Sequence, residues 1–125
     1  FVNGNANLTA QVANVAATTL LATGTSAGIY MITIYLVVSQ AASTSSTLPD
    51  SRIIFTDRDS SAVITTPVTS GLTTNTTSTF AQASFFVNAK ASTNIQYDIG
   101  QVTAYTSVGG TPMQFAYRAS CIYLG

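Results

Sequence analysis

Apolar and polar residues alternate with a period of two along several stretches of the chain. In FAQASFFVNAK, the odd positions from Ala81 to Ala89 are apolar, and most even positions are polar. The same alternation occurs in NIQYDI at 94–99 and in QFAYRASCIYL at 114–124. Because successive side chains of a strand point to opposite faces of a sheet, this pattern predicts half-buried β-strands.

Turn-forming residues separate these stretches at intervals of about 8 to 12 residues, the spacing typical of β-sandwiches and barrels. Examples are TGTSAG at 23–28, DRDSS at 57–61 and SVGGTP at 107–112. The pattern predicts strands at 8–14, 18–22, 28–41, 51–57, 62–68, 79–90, 94–105 and 114–124. Since no segment has a convincing helical pattern, we predict an all-β fold, an antiparallel β-sandwich of about eight strands arranged as a jelly roll.

The stretch GIYMITIYLVVSQ at 28–40 departs from simple alternation because both of its faces are apolar. One face carries Tyr30, Ile32, Ile34, Leu36 and Val38, and the other carries Ile29, Met31, Thr33, Tyr35 and Val37. A strand in a two-sheet sandwich buries one face and exposes the other. We therefore predict that the second row is a subunit interface covered by another copy of the chain. The alternative is that residues 1–14 of the same chain cover it.

The 125 residues predict a single domain over 1–125, with 1–7 as a possible linker to a preceding region. Because the chain begins at Phe1 rather than Met, we expect a processed product or the C-terminal piece of a longer protein. Charged residues make up only 6% of the chain, and the net charge is zero. Ser and Thr together number 35, so hydroxyl groups must form much of the polar surface. Near-zero net charge favours self-association.

The few charges also exclude some partners. The four cations Arg52, Arg58, Lys90 and Arg118 are scattered along the chain, whereas nucleic-acid affinity comes from clustered Lys and Arg. The longest apolar run, inside 28–38, is shorter than the roughly 20 residues that a membrane helix needs. We expect neither nucleic acid nor a membrane as a partner.

Catalytic chemistry has little support in the sequence. The chain has no His, which removes Ser-His-Asp and Cys-His catalysis and the commonest metal ligand. Its one cysteine, Cys121, lies in the apolar row of the last strand and is expected to be a small buried side chain. We therefore expect no enzymatic activity, no catalytic residues and no cofactor.

The weak candidates for a metal site are Asp57 and Asp59 in the turn TDRDSSA. An EF-hand loop would need Gly at the position of Ala62 and Glu at the position of Val68. Two readings stay open: a looser calcium- or sugar-binding turn, and a hairpin turn whose Asp and Ser side chains bond nearby backbone N–H groups.

Loops rich in Ser, Thr and Asn at 43–51 and 69–78 are predicted to form surface-binding loops, because binding residues gather on loops carried by a rigid scaffold. The candidate contact residues are Ser45, Ser46, Thr47, Thr74, Asn75, Thr76 and Tyr105. Tyr105 is included as the best loop aromatic in a chain that has no Trp.

Several segments resemble C1q/TNF-like jelly rolls. In TTLLATGTSAGIYMITIYLVV, Gly28 and Tyr30 match a Gly-x-Tyr turn that leads into a long apolar strand. The segment SFFVNAKASTNIQYDIG resembles the penultimate hairpin of that family, and the chain ends in an aromatic, apolar strand as those domains do.

Residues 5–124 are also similar to a domain found at the C-terminal ends of bacteriophage and environmental virion fibre proteins. The matching segments are NLTAQVANVAATTL, GIYMITIYLVVSQAASTSSTLP, TDRDSSA and SVGGTPMQFAYR. This resemblance implies a homotrimeric knob on a tail or head fibre, located on the virion outside the cell and in contact with other virion proteins.

The sequence is consistent with three functions. The first is a structural virion protein that self-associates and adheres to the host surface, where a glycan is a candidate partner. The second is a capsid decoration protein or extracellular filament subunit that assembles by adding a strand such as 8–14 to a neighbour's sheet edge. The third is a carbohydrate-binding module.

Overall fold

The computed structural model describes residues 3–67 and 71–125. Its strands are β1 (Asn3–Gln11), β2 (Val15–Ala22), β3 (Gly28–Gln40), β4 (Ser45–Thr47), β5 (Ser51–Thr56), β6 (Val63–Pro67), β7 (Phe80–Ala89), β8 (Asn94–Ile99), β9 (Thr106–Val108) and β10 (Gln114–Tyr123). Neighbouring strands pair antiparallel. The predicted all-β fold is confirmed.

Two four-stranded sheets form the body of the molecule. The first sheet has the order β1-β10-β3-β7, and the second has the order β2-β8-β5-β6. A short pair, β4 and β9, lies apart from both sheets. Because strands that follow one another along the chain belong largely to opposite sheets, the architecture is the predicted jelly-roll sandwich.

The hydrophobic core is formed by the inner faces of the two sheets. The inner row of β3 is at most 2% exposed and consists of Tyr30, Ile32, Ile34, Leu36 and Val38. In the second sheet, Ile53, Ile95 and Ile99 are fully buried. Cys121 of β10 is fully buried as well, as the sequence predicted. The inner row of β3 therefore anchors the strand, so its other row faces away from the core.

Polar groups near the core are paired. The guanidinium of Arg52 donates to both carboxylate oxygens of Asp98, at 2.7 and 3.2 Å. The hydroxyls of Tyr117 and Ser51 are 3.0 Å apart. Without these bonds the polar groups would be buried without a hydrogen-bond partner, which would lower the stability of the fold.

Several boundaries differ from the sequence prediction: the first strand covers 3–11 rather than 8–14, and the second begins at Val15 rather than at residue 18. Residues 3–7 pair with β10 and begin β1 rather than forming a linker. The strand predicted over 94–105 ends at Ile99, because Gly100 has a φ of +79° and the Asp50 carboxylate accepts the N–H groups of Val102 and Thr103 at 3.2 and 2.9 Å. The last residue of the strand predicted at 62–68, residues 1–2 of the predicted linker and residues 69–70 of the predicted surface loop lie outside the described residues.

Candidate functional site

The second apolar row of β3 lies on the face of the first sheet that points away from the core, which we call the outer face. Ile29, Met31 and Tyr35 are 37%, 36% and 39% exposed, and Thr33 and Val37 are partly buried. Residues 3–11 form the strand at the edge of the same sheet, next to β10, so they do not cover this row. Among the described residues, the row has no intramolecular cover.

Cross-strand neighbours extend two parts of this row into apolar rows that run across the sheet. Met31 lies in register between Ile122 and Phe86, and these three residues form the lower apolar row. Val37 lies between Ala116 and Phe80 in the upper apolar row. Phe86 is 63% exposed and Phe80 is 49% exposed. Each row thus presents a large aromatic side chain to solvent on β7.

Two polar rows lie between the apolar rows. The first polar row contains Asn5, Ser120, Thr33 and Ser84, and the second contains Asn7, Arg118, Tyr35 and Gln82. Both rows cross all four strands of the sheet. Together they line a cleft of about 480 Å³. The outer face therefore has a polar centre bordered by apolar side chains above and below.

Most polar side chains of the cleft are free to bind something else. Thr33 and Ser120 hydrogen-bond each other through their hydroxyls. The other donors and acceptors are the side chains of Asn5, Asn7, Gln82, Ser84 and Arg118, which make no hydrogen bond or ion pair with any other described residue. The Tyr35 ring stacks on Phe80, with centroids 5.9 Å apart and planes 24° apart.

A second apolar surface lies at the side of the sandwich where β6 and β7 are the edge strands, because β5, the neighbour of β6, contacts β7 there. Ile64 of β6 pairs with the core-facing Phe55 and is 37% exposed, whereas Val63, which is 70% exposed, points to the opposite face of its sheet. Phe85 of β7 points toward the core but is only partly buried. This surface, which we call the β6/β7 edge, consists of Ile64 and Phe85 and differs in composition from the outer face.

The predicted loop residues at 45–47 occupy a different position from the one expected. Ser45, Ser46 and Thr47 form β4 and pair with β9. Ser46 is 5% exposed, and its hydroxyl donates to Asn75 Oδ1 at 2.8 Å. The prediction that Ser46 is a surface contact residue is wrong, because strand pairing and the bond to Asn75 bury it.

Asn75 has a structural role. Its Nδ2 donates to the carbonyl oxygen of Ala42 at 2.8 Å, and its Oδ1 accepts the N–H of Ala42 at the same distance. With the bond from Ser46, these contacts occupy the amide that was predicted to bind a partner. Thr76 bonds the hydroxyls of Ser78 and Thr79, and Thr74 is exposed.

Tyr105 is not a free aromatic platform. Its hydroxyl donates to the carbonyl oxygen of Met113 at 2.6 Å, and its ring packs against Phe115 with centroids 6.0 Å apart. Its backbone N–H donates to Asn14 Oδ1 at 2.8 Å. The ring is held at the end of the core, so it is poorly placed to stack on a ligand.

The carboxylates of Asp57 and Asp59 are used within their own turn and its neighbour. Asp57 Oδ2 accepts the N–H groups of Asp59 and Ser60 at 3.0 and 2.8 Å. These bonds hold the pKa of Asp57 below its ordinary value, with the Ser60 N–H as the largest cause. Asp59 Oδ2 accepts the amide of Asn88 at 2.8 Å. In the described ranges no three His, Cys, Asp or Glu side chains lie together as a metal site.

The polar rows were missed by sequence reasoning. Their signal was the alternation of Asn3, Asn5 and Asn7 in NGNANLT, which reads as a turn because Asn is depleted in strands. The remaining members come from three other strands, and only the cross-strand register brings them together.

Comparisons with known proteins do not assign the chain to a family. No family model matches the chain, and no curated protein matches it. One similar structure is that of the CBM22-1–GH10 modules of a Clostridium thermocellum xylanase in complex with xylohexaose, at 13% identity and a TM-score of 0.44, covering 99% of this chain and 27% of that one. Another is that of the infectious bursal disease virus Gx strain, at 14% identity and a TM-score of 0.48, covering 98% and 33%. The chain thus spans about a third or less of each protein.

The described ranges contain no helix long and apolar enough to cross a membrane. The xylanase structure and the viral structure resemble this chain too weakly to assign it a role. The chain is therefore described by its architecture: an antiparallel jelly-roll sandwich whose outer face carries both apolar rows and a polar cleft.

Proposed function

We propose that this chain is a non-catalytic structural subunit that self-associates through its outer face, as a trimeric knob of a virion fibre. The observation that carries the proposal is the apolar row of β3, which no described part of the same chain covers. Large apolar patches on a soluble domain generally mark an interaction surface. A second copy is the partner we favour, since the chain has zero net charge and little charge repulsion opposes self-contact.

Each exposed apolar residue of the outer face contributes only a modest free energy to association. Ile29, Met31, Tyr35, Phe80 and Phe86 are between 36% and 63% exposed. Completing the burial of each is worth about 1 kcal/mol, roughly half of the value for burying a whole apolar side chain. Association also costs translational and rotational freedom. We therefore expect dissociation in the micromolar range, with the partner's surface supplying a comparable contribution.

The presence of two different apolar surfaces favours a head-to-tail arrangement. An isologous dimer would use the same patch on both copies, whereas the outer face and the β6/β7 edge are unlike each other. If the β6/β7 edge of one copy packs on the outer face of the next, each copy uses both surfaces. Such contacts close into a ring when the rotation between copies allows it, and a ring of three is our proposal.

The virion assignment is supported by the resemblance of residues 5–124 to fibre knob domains. A knob carries an adhesion role without catalysis, because several weak contacts multiply when three copies present them together. An antibody raised against the chain should label the distal end of a fibre on virus particles from the source of the sequence.

Sedimentation velocity over a concentration series tests the self-association. The wild-type chain should reach a mass of about three times the 13.0 kDa of one copy. Phe86→Asp should remain a monomer at the same concentrations, because a carboxylate buried in an apolar contact is strongly disfavoured. The matched control is Val12→Asp, which places the same charge on another exposed apolar residue, 48% exposed and outside the outer face.

A monomeric wild-type chain at millimolar concentration would overturn the proposal, as would equal mass loss in Phe86→Asp and Val12→Asp. Open polymers would overturn the ring of three, because a head-to-tail contact that does not close produces fibres. The filament alternative would also produce open polymers, but by strand addition rather than through the outer face. That alternative requires strand donation by residues that already pair in β1 with β10 of the same chain.

A further inference from the structure

We propose that the polar cleft of the outer face binds an acidic saccharide, a sugar that carries both a carboxylate and neighbouring hydroxyls. The juxtaposition that points to it is Arg118 between Asn7 and Tyr35 in one cross-strand row, beside Asn5 and Ser84 in the next. This inference gives the adhesion part of the proposed function a ligand class, and it does not depend on self-association.

The uncharged side chains of the cleft suit a polyhydroxyl ligand. Each amide of Asn5, Asn7 and Gln82 offers two N–H donors and a carbonyl acceptor, and Ser84 offers a hydroxyl that does both. These groups make no hydrogen bonds to other described residues, so all their bonding capacity is available. Adjacent sugar hydroxyls present donors and acceptors at the spacing of a side-chain amide.

Arg118 supplies the preference for an acidic ligand. Its guanidinium is exposed and has no ion-pair partner among the described residues. The chain contains no Glu, and none of its four Asp residues lines the cleft. A guanidinium offers paired N–H donors that fit a carboxylate bidentately. The cleft therefore has one uncompensated positive charge inside a neutral polar lining.

Tyr35 supplies an apolar surface for the sugar ring. It lies in the same row as Arg118, and stacking on Phe80 restrains its ring. The C–H groups on one face of a pyranose pack against an aromatic ring while the hydroxyls at its rim remain free for hydrogen bonds. A single sugar unit can thus contact the ring, the amides and the guanidinium together.

The alternative explanation is that the polar residues of the cleft only keep this face of the sheet hydrated, and two observations disfavour it. Asn is a poor strand former, yet β1 carries it at three alternate positions, 3, 5 and 7, all in register with the outer face of β10. The cleft of about 480 Å³ also falls within the roughly 300 to 1,000 Å³ of small-molecule sites. A face selected only for solubility needs neither feature.

The test is NMR titration of the labelled chain with matched pairs of sugars. The acidic members are trigalacturonate and sialyllactose, and their neutral counterparts are methyl-esterified trigalacturonate and lactose. Inorganic sulfate serves as the simple anion. The wild-type chain and Phe86→Asp are both titrated, so that a cleft hidden by a neighbouring copy is distinguished from one that takes no sugar. Sedimentation of the same samples reports self-association separately.

The proposal expects at least one acidic sugar to shift the side-chain amide signals of Asn5, Asn7 and Gln82, in the wild-type chain or in Phe86→Asp. Its neutral counterpart should bind at least tenfold more weakly, and Arg118→Gln should weaken the acidic sugar by at least about tenfold. Arg58→Gln is the matched control, because it removes the same charge from an exposed turn on another part of the surface.

Four results would overturn the proposal. The first is that neither acidic sugar binds either form of the protein up to about 10 mM, and the second is that an acidic sugar and its neutral counterpart bind with equal affinity. The third is an equal loss of affinity for the acidic sugar in Arg118→Gln and Arg58→Gln, and the fourth is displacement of the sugar by sulfate at the same concentration. The last would show an anion site with no selectivity for a saccharide.

Discussion

At the residue scale, the groups with the most strongly shifted proton affinity are buried neutral side chains. Burial raises the pKa of Cys121 from 9.0 to about 12. Burial is also the largest cause of the raised pKa values of Tyr30 and Tyr117, whose ordinary value is 10.0. In all three cases the low-polarity core disfavours the charged form.

These shifts predict a loss of stability at alkaline pH. A group whose pKa is higher in the folded chain contributes its full stabilisation below its unfolded pKa, and loses it as the pH rises toward the folded value. The free energy of unfolding should therefore be flat below pH 9 for these groups, and should fall as the pH increases from 9.0 toward 12, with Cys121 first. Urea denaturation between neutral pH and pH 10.5 measures it.

Cys121→Ala is the control for that series. It lowers stability at every pH, because it removes volume from a fully buried position. Its decline between pH 9 and pH 10 should nevertheless be shallower than that of the wild-type chain, since the thiol no longer titrates. A wild-type free energy of unfolding that is constant or increasing over this range would contradict the assignment.

At the element scale, the strands that the sequence predicted best are those whose alternation is strongest. The inner rows of β3, β7, β8 and β10 all face the core as their periodicity indicated. The strands β4 and β9 were missed because three residues of Ser, Thr and Val carry no usable periodicity. Their existence depends on a pairing between distant segments, which a single sequence does not reveal.

The same limit explains the wrong assignment of Ser46 and the unexpected roles of Asn75 and Tyr105. Their polar side chains look available in the sequence, but those of Ser46 and Asn75 bond to groups of distant segments, and the Tyr105 hydroxyl bonds to the backbone of Met113. The polar cleft was missed for the opposite reason. Its residues look like ordinary solvent-facing positions of separate strands, and only the register between four strands collects them into one site.

The contacts of Asn75 predict that its side chain stabilises the neighbouring segment around Ala42 and Ser46. Asn75→Ala removes the bonds to both backbone groups of Ala42 and to the Ser46 hydroxyl. Because these groups then lack partners in a partly buried setting, we expect a loss of about 2 kcal/mol in the free energy of unfolding. Hydrogen exchange should accelerate most at residues 42–48. Thr74→Ala is the control, since its side chain is exposed and should change neither quantity appreciably.

At the scale of the whole molecule, the jelly roll separates two tasks between the faces of one sheet. The inner row of β3 closes the core, and the outer row remains uncovered by the described part of the chain. The sequence predicted this division from the two apolar rows of one strand. What it did not predict is that the outer face also carries a polar centre, which lies between its two apolar rows.

The two methionines of the chain allow the central claim, coverage of the outer face by a second copy, to be measured directly. Met31 lies in the lower apolar row and is 36% exposed in the isolated chain, whereas Met113 is fully buried and serves as an internal reference. Peroxide oxidation followed by peptide mass spectrometry gives the rate at each site. The account predicts that Met31 is protected at high concentration and oxidises much faster on dilution or in Phe86→Asp, while Met113 stays slow throughout. Oxidation of Met31 at one fast rate, independent of concentration and of the substitution, would show that nothing covers the face and would contradict the account.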